Sequence, residues 1–177
     1  MRGLVCVDVE TTGLTPDDIC VEVAWHDLGT GDHGSFVPAH DVAWVLANAH
    51  PRALEVNGYR DRLIDAQHDD GTEVRRLHER LVGQCIGGSN VRTDAFHVAR
   101  LFDGQGLDRE PWHYHLAELS SYACGVLGIP VTDPPGLWSC CDLLGVEPEA
   151  DVHTAEGGAA ATARCFAALM ARAALVA

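Results

Sequence analysis

The stretch "VCVDVETTGL", Val5–Leu14, places two carboxylates inside an apolar, β-branched run. Residues 3–9 alternate too little for a half-solvated strand and are typical of a strand covered on both faces. Side chains at i and i+2 of a strand share a face, so Asp8 and Glu10 are expected to point the same way. Like charges this close repel each other, and burial raises the cost. Either the strand ends near Asp8 and both acids are solvated, or a divalent cation compensates them, since hard oxygen ligands suit Mg²⁺ and Mn²⁺.

Composition narrows the class of protein. The chain has 177 residues, of which 47% are hydrophobic and 21% charged. These are ordinary values for a globular protein, and we expect a single domain over residues 1–177. The net charge of −14 argues against a broad phosphate-binding surface, because non-specific duplex binding depends on clustered Lys and Arg. A small acidic cleft can still hold a phosphate once divalent cations neutralise it.

The sequence also indicates a compartment. No segment reaches the apolar length that a membrane span requires, so no membrane partner is expected. The N-terminal residues reach charge before any hydrophobic stretch of a signal peptide forms. The seven cysteines are scattered and form no C-x-x-C pair, which is typical of reduced, buried thiols. We therefore expect a cytoplasmic protein.

Hydrophobic periodicity predicts an α/β domain. Strands are expected at residues 3–9, 19–28 and 34–39, and their short connections predict an antiparallel meander. The remaining elements are predicted as follows: a short helix at 41–49, a turn or brief helix at 51–59, a helix at 72–82, a strand at 84–88, a helix from Asp94, a strand at 112–119, and helices at 120–128, 137–144 and 156–175. Three strands followed by alternating helices and strands favour one α/β unit.

Three segments carry a family resemblance. "VDVETTGL" (7–14), "GSNVRTDAFHVARLF" (88–102) and "DVHTAEGGAAATARCFAAL" (151–169) resemble, in order and spacing, the three exonuclease motifs of the DnaQ-like family, subgroup DEDDh. "ALEVNGY" (53–59) is similar to a segment that those proteins carry between the first two motifs. The resemblance spans nearly the whole chain. It implies a ribonuclease H-like α/β fold, with a mixed five-stranded sheet flanked by helices.

The resemblance also implies a catalytic set. Its acids fall on Asp8, Glu10 and Asp94, and its histidine falls on His153. In the family the acids hold two Mg²⁺ or Mn²⁺ ions, and the histidine activates the attacking water. That division is physically sensible, because one ion makes a nucleophile at neutral pH, the other stabilises the leaving oxygen, and a histidine can accept the proton.

Substrate contacts and partners follow from the same resemblance. Asn90 would orient the site, and Thr11, Gly13 and Leu14 would meet the terminal nucleotide. The implied function is a metal-dependent 3′-to-5′ exonuclease acting on single-stranded DNA or RNA ends, with a polymerase or a second copy of the chain as partner. The choice between DNA and RNA depends on a 2′-hydroxyl contact that the sequence does not reveal.

Two positions depart from the family pattern. Thr93 stands where an aromatic residue usually packs, and Gly158 stands where the third motif usually supplies an aspartate. Glu118 could substitute from a strand end, or Glu156 could do so if the Gly157–Gly158 pair bends the helix start. Otherwise a water replaces the ligand, and activity is weak, Mn²⁺-dependent or absent. The alternative function is therefore a degenerate exonuclease-fold protein that binds nucleic-acid ends or a replication partner without cutting.

Overall fold

The structure, a computed structural model, describes residues 2–147 and 153–175. Its strands are β1 (Leu4–Thr11), β2 (Cys20–Asp27), β3 (His33–Phe36), β4 (Cys85–Gly88) and β5 (Ala117–Glu118). Its helices are α1 (Val42–Asn48), α2 (Pro51–Val56), α3 (Thr72–Leu81), α4 (Val91–Gly104), α5 (Leu119–Leu127), α6 (Leu137–Leu144) and α7 (Ala155–Ala174). A π-helical turn over Tyr59–Leu63, called the π-turn below, follows α2.

The five strands form one mixed sheet in the order β3-β2-β1-β4-β5. β1 pairs antiparallel with β2, and β2 pairs antiparallel with β3. β1 and β4, and β4 and β5, are parallel. The predicted meander and the predicted mixed five-stranded sheet flanked by helices are both confirmed.

The central strand β1 is covered on both faces, as its continuous apolar sequence predicts. Val5 and Val7 are fully buried among residues of α3 and α4 on one face. Cys6 is fully buried on the other face among residues of α5, α6 and α7. Since side chains alternate along a strand, Asp8 and Glu10 belong to the same face as Cys6. This face carries α7.

Three elements differ from the sequence prediction. The strand predicted over 34–39 ends at Phe36. α4 begins at Val91, three residues before Asp94, because Asn90 adopts a left-handed conformation (φ 68°) that turns the chain into the helix. The strand predicted over 112–119 is wrong except at Ala117–Glu118. The alternating aromatic residues of this segment do not reflect strand pairing, because Tyr114 is 79% exposed and the residues just before β5 lie outside the sheet.

Candidate active site

The two acids of the first motif lie well inside β1, which continues through Thr11. The possibility that the strand ends near Asp8 is therefore wrong. Burial raises the pKa of Asp8 well above its usual range, and repulsion from Asp94, Glu10 and Glu22 raises it further. Burial and the neighbouring Glu22 raise the pKa of Glu10 to about 7, although the Arg62 guanidinium acts in the opposite direction.

Asp94 reaches the same place from the first turn of α4. Its side chain is 4% exposed. The Val9 N–H donates to Asp94 Oδ1 at 3.2 Å, whereas Asp94 Oδ2 is buried and has no hydrogen-bond partner. Burial raises the pKa of Asp94 well above its ordinary value, despite the Val9 hydrogen bond, which lowers it. The half-buried Asp8 on β1 and the buried Asp94 on α4 thus form a pair of like-charged groups, and Asp94 Oδ2 has no hydrogen-bond partner.

A second buried acid, Glu22, lies directly across from Glu10 in the β1–β2 register. It is 8% exposed. Arg62 in the π-turn donates two hydrogen bonds to its carboxylate, at 3.1 and 3.0 Å, and the Ala155 N–H at the start of α7 donates a third at 3.1 Å. Sequence reasoning missed both Glu22 and Arg62. The available signal was an ionisable residue within the apolar run "CVEVAW", the same feature that singles out Asp8.

The "ALEVNGY" segment connects this network to the first motif. Asn57 is buried, and its Nδ2 donates to the Thr11 carbonyl at 3.1 Å. Its Oδ1 accepts the Tyr59 N–H at 3.1 Å. The Asn57 carbonyl in turn accepts a hydrogen bond of 2.7 Å from Arg62. Asn57 therefore holds the end of β1 and the π-turn in fixed relation.

Gly158 faces the first-motif acid directly. A Cβ built on Gly158 would meet Asp8 Cγ at 2.7 Å, closer than real Cβ contacts come. The structure therefore brings the third-motif position beside Asp8, and it does so because this position has no side chain. A larger residue at this position would therefore require the Asp8 carboxylate to move.

Neither possible substitute acid lies against Asp8. Glu156 accepts a hydrogen bond of 3.4 Å from Ser35 on β3. Since Asp8 pairs with Ala24 and Ala24 pairs with Ser35, Glu156 lies over the strand two positions away, about 10 Å across the sheet.

The second possible substitute, Glu118, is occupied as a helix cap. Its carboxylate accepts the backbone N–H groups of Asn90, Val91 and Ser120 at 3.1, 2.9 and 3.3 Å. It thereby caps the starts of both α4 and α5. Its charge is nevertheless close enough to contribute to the raised pKa of Asp94.

His153 lies one residue before Thr154, the N-cap of α7. It is exposed and adopts a left-handed backbone conformation (φ 66°). Its ring makes an edge contact with Trp138, with 6.3 Å between ring centroids. Within residues 2–147 and 153–175, no hydrogen bond or ion pair joins His153 to the three acids, and its catalytic role stays a prediction.

The residues expected to meet a terminal nucleotide line a cavity next to Glu10. It measures about 360 Å³ and lies between the loop that follows β1 and helix α2. Leu14 is fully exposed at its edge. Its lining comprises Glu10, Thr11, Gly13, Leu14, Thr15, Asp18, His50, Arg52, Ala53 and Val56.

Asn90 lies elsewhere, in a second cavity together with Glu118. Its side chain donates to Thr93 Oγ1 at 3.0 Å. Thr93, the first departure from the family pattern, thus makes a polar contact where an aromatic residue would pack. Asn90 helps to fix the start of α4 and, with it, the position of Asp94.

The donor chemistry of the acid cluster suits a hard divalent cation, because all of its ligating atoms are carboxylate oxygens and Asp94 Oδ2 has no partner. In the described part of the chain, however, no three His, Cys, Asp or Glu side chains are gathered as a ready metal-binding set. Binding an ion requires these side chains to rotate toward one another.

Known proteins resemble this chain in structure but not in sequence. The chain matches no protein-family model and no curated protein sequence. It is similar to E. coli exonuclease I in complex with a dT13 oligonucleotide, with a TM-score of 0.73 and 19% identity over 96% of this chain and 41% of that chain. It is also similar to the zinc-bound form of an E. coli exonuclease I–single-stranded DNA complex (TM-score 0.73, 20% identity, 96% and 40%).

A third similar structure is an exonuclease I from Methylocaldum szegediense (TM-score 0.71, 19% identity, 96% and 40%). The chain thus spans about two fifths of the length of the solved structures it matches. At these sequence identities the likeness concerns architecture. The chain has the ribonuclease H-like α/β fold of the exonuclease I structures.

None of the helices within the described ranges combines the length and apolar character that a membrane crossing requires.

Proposed function

We propose that this protein is a divalent-metal-dependent 3′-to-5′ exonuclease acting on single-stranded nucleic-acid ends. The observation that supports the proposal is the half-buried Asp8 beside the buried Asp94, whose mutual repulsion and unpartnered Asp94 Oδ2 suit a bound cation. The solved structures of the same fold include exonuclease I bound to single-stranded oligonucleotides. The cavity beside Glu10 supplies a place for a terminal nucleotide.

We assign the following roles in metal binding, substrate contact and proton transfer. Asp8, Glu10 and Asp94 would hold Mg²⁺ or Mn²⁺, which when bound supplies an activated water and charge stabilisation at the phosphate. Leu14, fully exposed at the cavity edge, would pack against the terminal base, and Thr11 and Gly13 would contact its sugar. His153 would accept the proton from the attacking water.

A direct test is digestion of a 5′-labelled single-stranded oligonucleotide with Mg²⁺ and, separately, with Mn²⁺. Stepwise shortening from the 3′ end is expected. The matched control is Asp94→Asn, which keeps the size of the side chain and an acceptor for the Val9 N–H. Oligonucleotides that stay intact with both metals would contradict the proposal.

Gly158 favours a second candidate, a degenerate protein that binds nucleic-acid ends or a replication partner without cutting. The third-motif position contributes no carboxylate, and a side chain there would meet the Asp8 carboxylate unless that carboxylate moved. Fluorescence anisotropy with oligonucleotides that carry a free or a blocked 3′ end separates the two functions. End-selective binding without degradation supports the degenerate protein, whereas degradation of the free end alone supports the enzyme.

A further inference from the structure

A further cavity, called the Trp44 cavity below, lies on the other side of the loop that follows β1. It measures about 310 Å³ and is formed by the start of β2, the segment that leads into α1, and α4. Asp18 lines the cavity beside Glu10, whereas the next residue, Ile19, lines the Trp44 cavity. The Trp44 cavity is therefore a neighbour of the candidate active site and is separated from it by the loop.

Two polar side chains of α4 line this cavity and have unused hydrogen-bonding atoms. His97 is 4% exposed, and burial lowers its pKa, so the neutral ring offers one donor and one acceptor at pH 7. Within residues 2–147 and 153–175, neither ring nitrogen has a hydrogen-bond partner. Arg100 Nη1 donates to the carbonyls of Pro16 and Asp18 at 2.5 and 2.9 Å, whereas its Nε and Nη2 have no partner in the same ranges. Since buried polar groups are normally hydrogen-bonded, these atoms point to a ligand.

Aromatic surface is available beside the same atoms. Trp44 lines the cavity and is 42% exposed. Phe96 is 40% exposed, and its ring meets the His97 ring edge-on with 5.2 Å between centroids. The Arg100 guanidinium lies 5.6 Å from the centre of the Phe96 ring. Exposed aromatic rings combined with arginine are the means by which proteins bind the unpaired bases of single strands.

Charge favours a base over a phosphate as the ligand. The chain has a net charge of −14. Asp41 lines the cavity, and Asp18 is close enough to act on the pKa of His97. An anionic group would meet these two carboxylates, whereas a neutral, planar base would not. The edge of a base carries donors and acceptors, which match the free atoms of His97 and Arg100.

We propose that the Trp44 cavity binds an unpaired base of a single-stranded nucleic acid, away from the terminal nucleotide. The base would stack on the Trp44 indole and form hydrogen bonds with His97 and Arg100. The inference rests on the proposed function for the class of ligand. It adds a contact with the strand that needs neither a free 3′ end nor a metal ion. An acidic protein with few cations for phosphates thereby gains affinity from stacking.

The experiment measures the binding of a fluorescently labelled, closed circular oligothymidylate to the full chain by fluorescence anisotropy, with a chelator present. A circle has no terminal nucleotide, so binding reports on interior bases alone. The wild-type protein is expected to bind it. Trp44→Ala is expected to weaken binding about tenfold, because one stacked base is lost, and Trp44→Phe is expected to keep most of the affinity.

Tyr114→Ala is the matched control, because Tyr114 is an aromatic residue that is 79% exposed and lines neither cavity. It is expected to bind the circle as the wild type does. A circle that does not bind to the wild type, unchanged binding in Trp44→Ala, or equal losses in Trp44→Ala and Tyr114→Ala would overturn the inference.

If Trp44→Ala fails to fold, His97→Phe gives an independent reading. It keeps a buried ring and removes both ring nitrogens, so affinity for the circle is expected to fall several-fold. Unchanged affinity in that variant would also overturn the inference.

The outcome is separate from that of the proposed function, because no variant is judged by cleavage. A protein that binds the circle through Trp44 yet leaves linear oligonucleotides intact with Mg²⁺ and Mn²⁺ would contradict the proposed function and leave the base-binding cavity standing. A protein that degrades linear oligonucleotides but does not bind the circle would do the reverse.

Discussion

Two buried acids flank β1 and have opposite surroundings. Glu22 is 8% exposed and receives two hydrogen bonds from Arg62 and one from a backbone N–H. Asp94 is 4% exposed, receives one from Val9, and has an unpartnered oxygen among other acids. Because a buried charge is costly unless it is paired, Glu22 is compensated within the fold, whereas Asp94 must be neutralised by a proton or by a bound cation. Burial alone therefore does not separate structural acids from functional ones.

The sharpest test of this contrast is Asp94→Asn. If Asp94 is a metal ligand, cleavage is expected to fall by about a thousandfold, or about 4 kcal/mol in activation free energy. Stability is expected to stay equal or to rise, since the change removes like-charge repulsion and keeps an acceptor for Val9. Steady-state cleavage and urea unfolding measure the two quantities. A strongly destabilised variant would make Asp94 a structural acid.

Glu22→Ala is expected to behave in the opposite way. It leaves the Arg62 guanidinium without its carboxylate and the Ala155 N–H without its acceptor, which should lower the free energy of unfolding by about 3 kcal/mol. Urea unfolding measures the loss. The control is Glu55→Ala, whose exposed pair with Arg52 is expected to contribute less than about 0.5 kcal/mol. Equal losses of unfolding free energy in the two variants would show that Glu22 contributes no more to stability than an exposed acid does.

The pH dependence of stability gives a third comparison. Glu10 has a pKa of about 7 in the folded protein, above its ordinary value of 4.5. The folded state therefore binds more protons than the unfolded state between these values, and stability must fall as pH rises through this window. Allowing for partial exposure, we expect a loss of about 2 kcal/mol between pH 4.5 and 7.5 from Glu10, and Asp8 and Asp94 act in the same direction.

Unfolding in urea across this pH range, with a chelator present, measures the effect. Glu10→Gln is expected to flatten the profile. Stability that rises with pH over this window would show that the carboxylates are compensated within the protein, as Glu22 is.

The smallest expected effect concerns Gly158. Glycine to alanine inside a helix ordinarily stabilises by up to about 1 kcal/mol. At Gly158 the new Cβ meets the Asp8 carboxylate, so we expect a net loss of about 1 kcal/mol instead. Gly104 in α4 has nothing within 4 Å of the added Cβ, and Gly104→Ala is expected to be neutral or stabilising. Thermal unfolding compares the two, and a stabilising change at both would show that α7 does not press on Asp8.

The sequence predicted the parts of this site that local pattern encodes. The apolar run of β1, the i, i+2 spacing of Asp8 and Glu10, and the helix that carries Asp94 all follow from short-range periodicity. The Glu22–Arg62 pair did not, because its members are 40 residues apart and meet only through the π-turn. The assignment of roles in metal binding, catalysis or substrate contact stays a prediction for every one of these residues: Asp8, Glu10, Asp94, His153, Thr11, Gly13, Leu14 and Asn90.

The error at 112–119 has a related cause. Alternation in "WHYHLAEL" has the period of a half-buried strand, but Tyr114 is exposed and only Ala117–Glu118 pairs with β4. The helix-capping role of Glu118 could not be predicted from the sequence either. It accepts N–H groups from two helix starts, a contact that depends on how α4 and α5 come together in three dimensions.

The Glu22 carboxylate has one more consequence. It accepts its third hydrogen bond from Ala155, the residue after the N-cap Thr154 and two after His153. The Glu22 side chain therefore connects Arg62 to the backbone two residues after His153. If a cation binds beside Glu22 as proposed, we expect any shift of this carboxylate to move the start of α7 and, with it, His153.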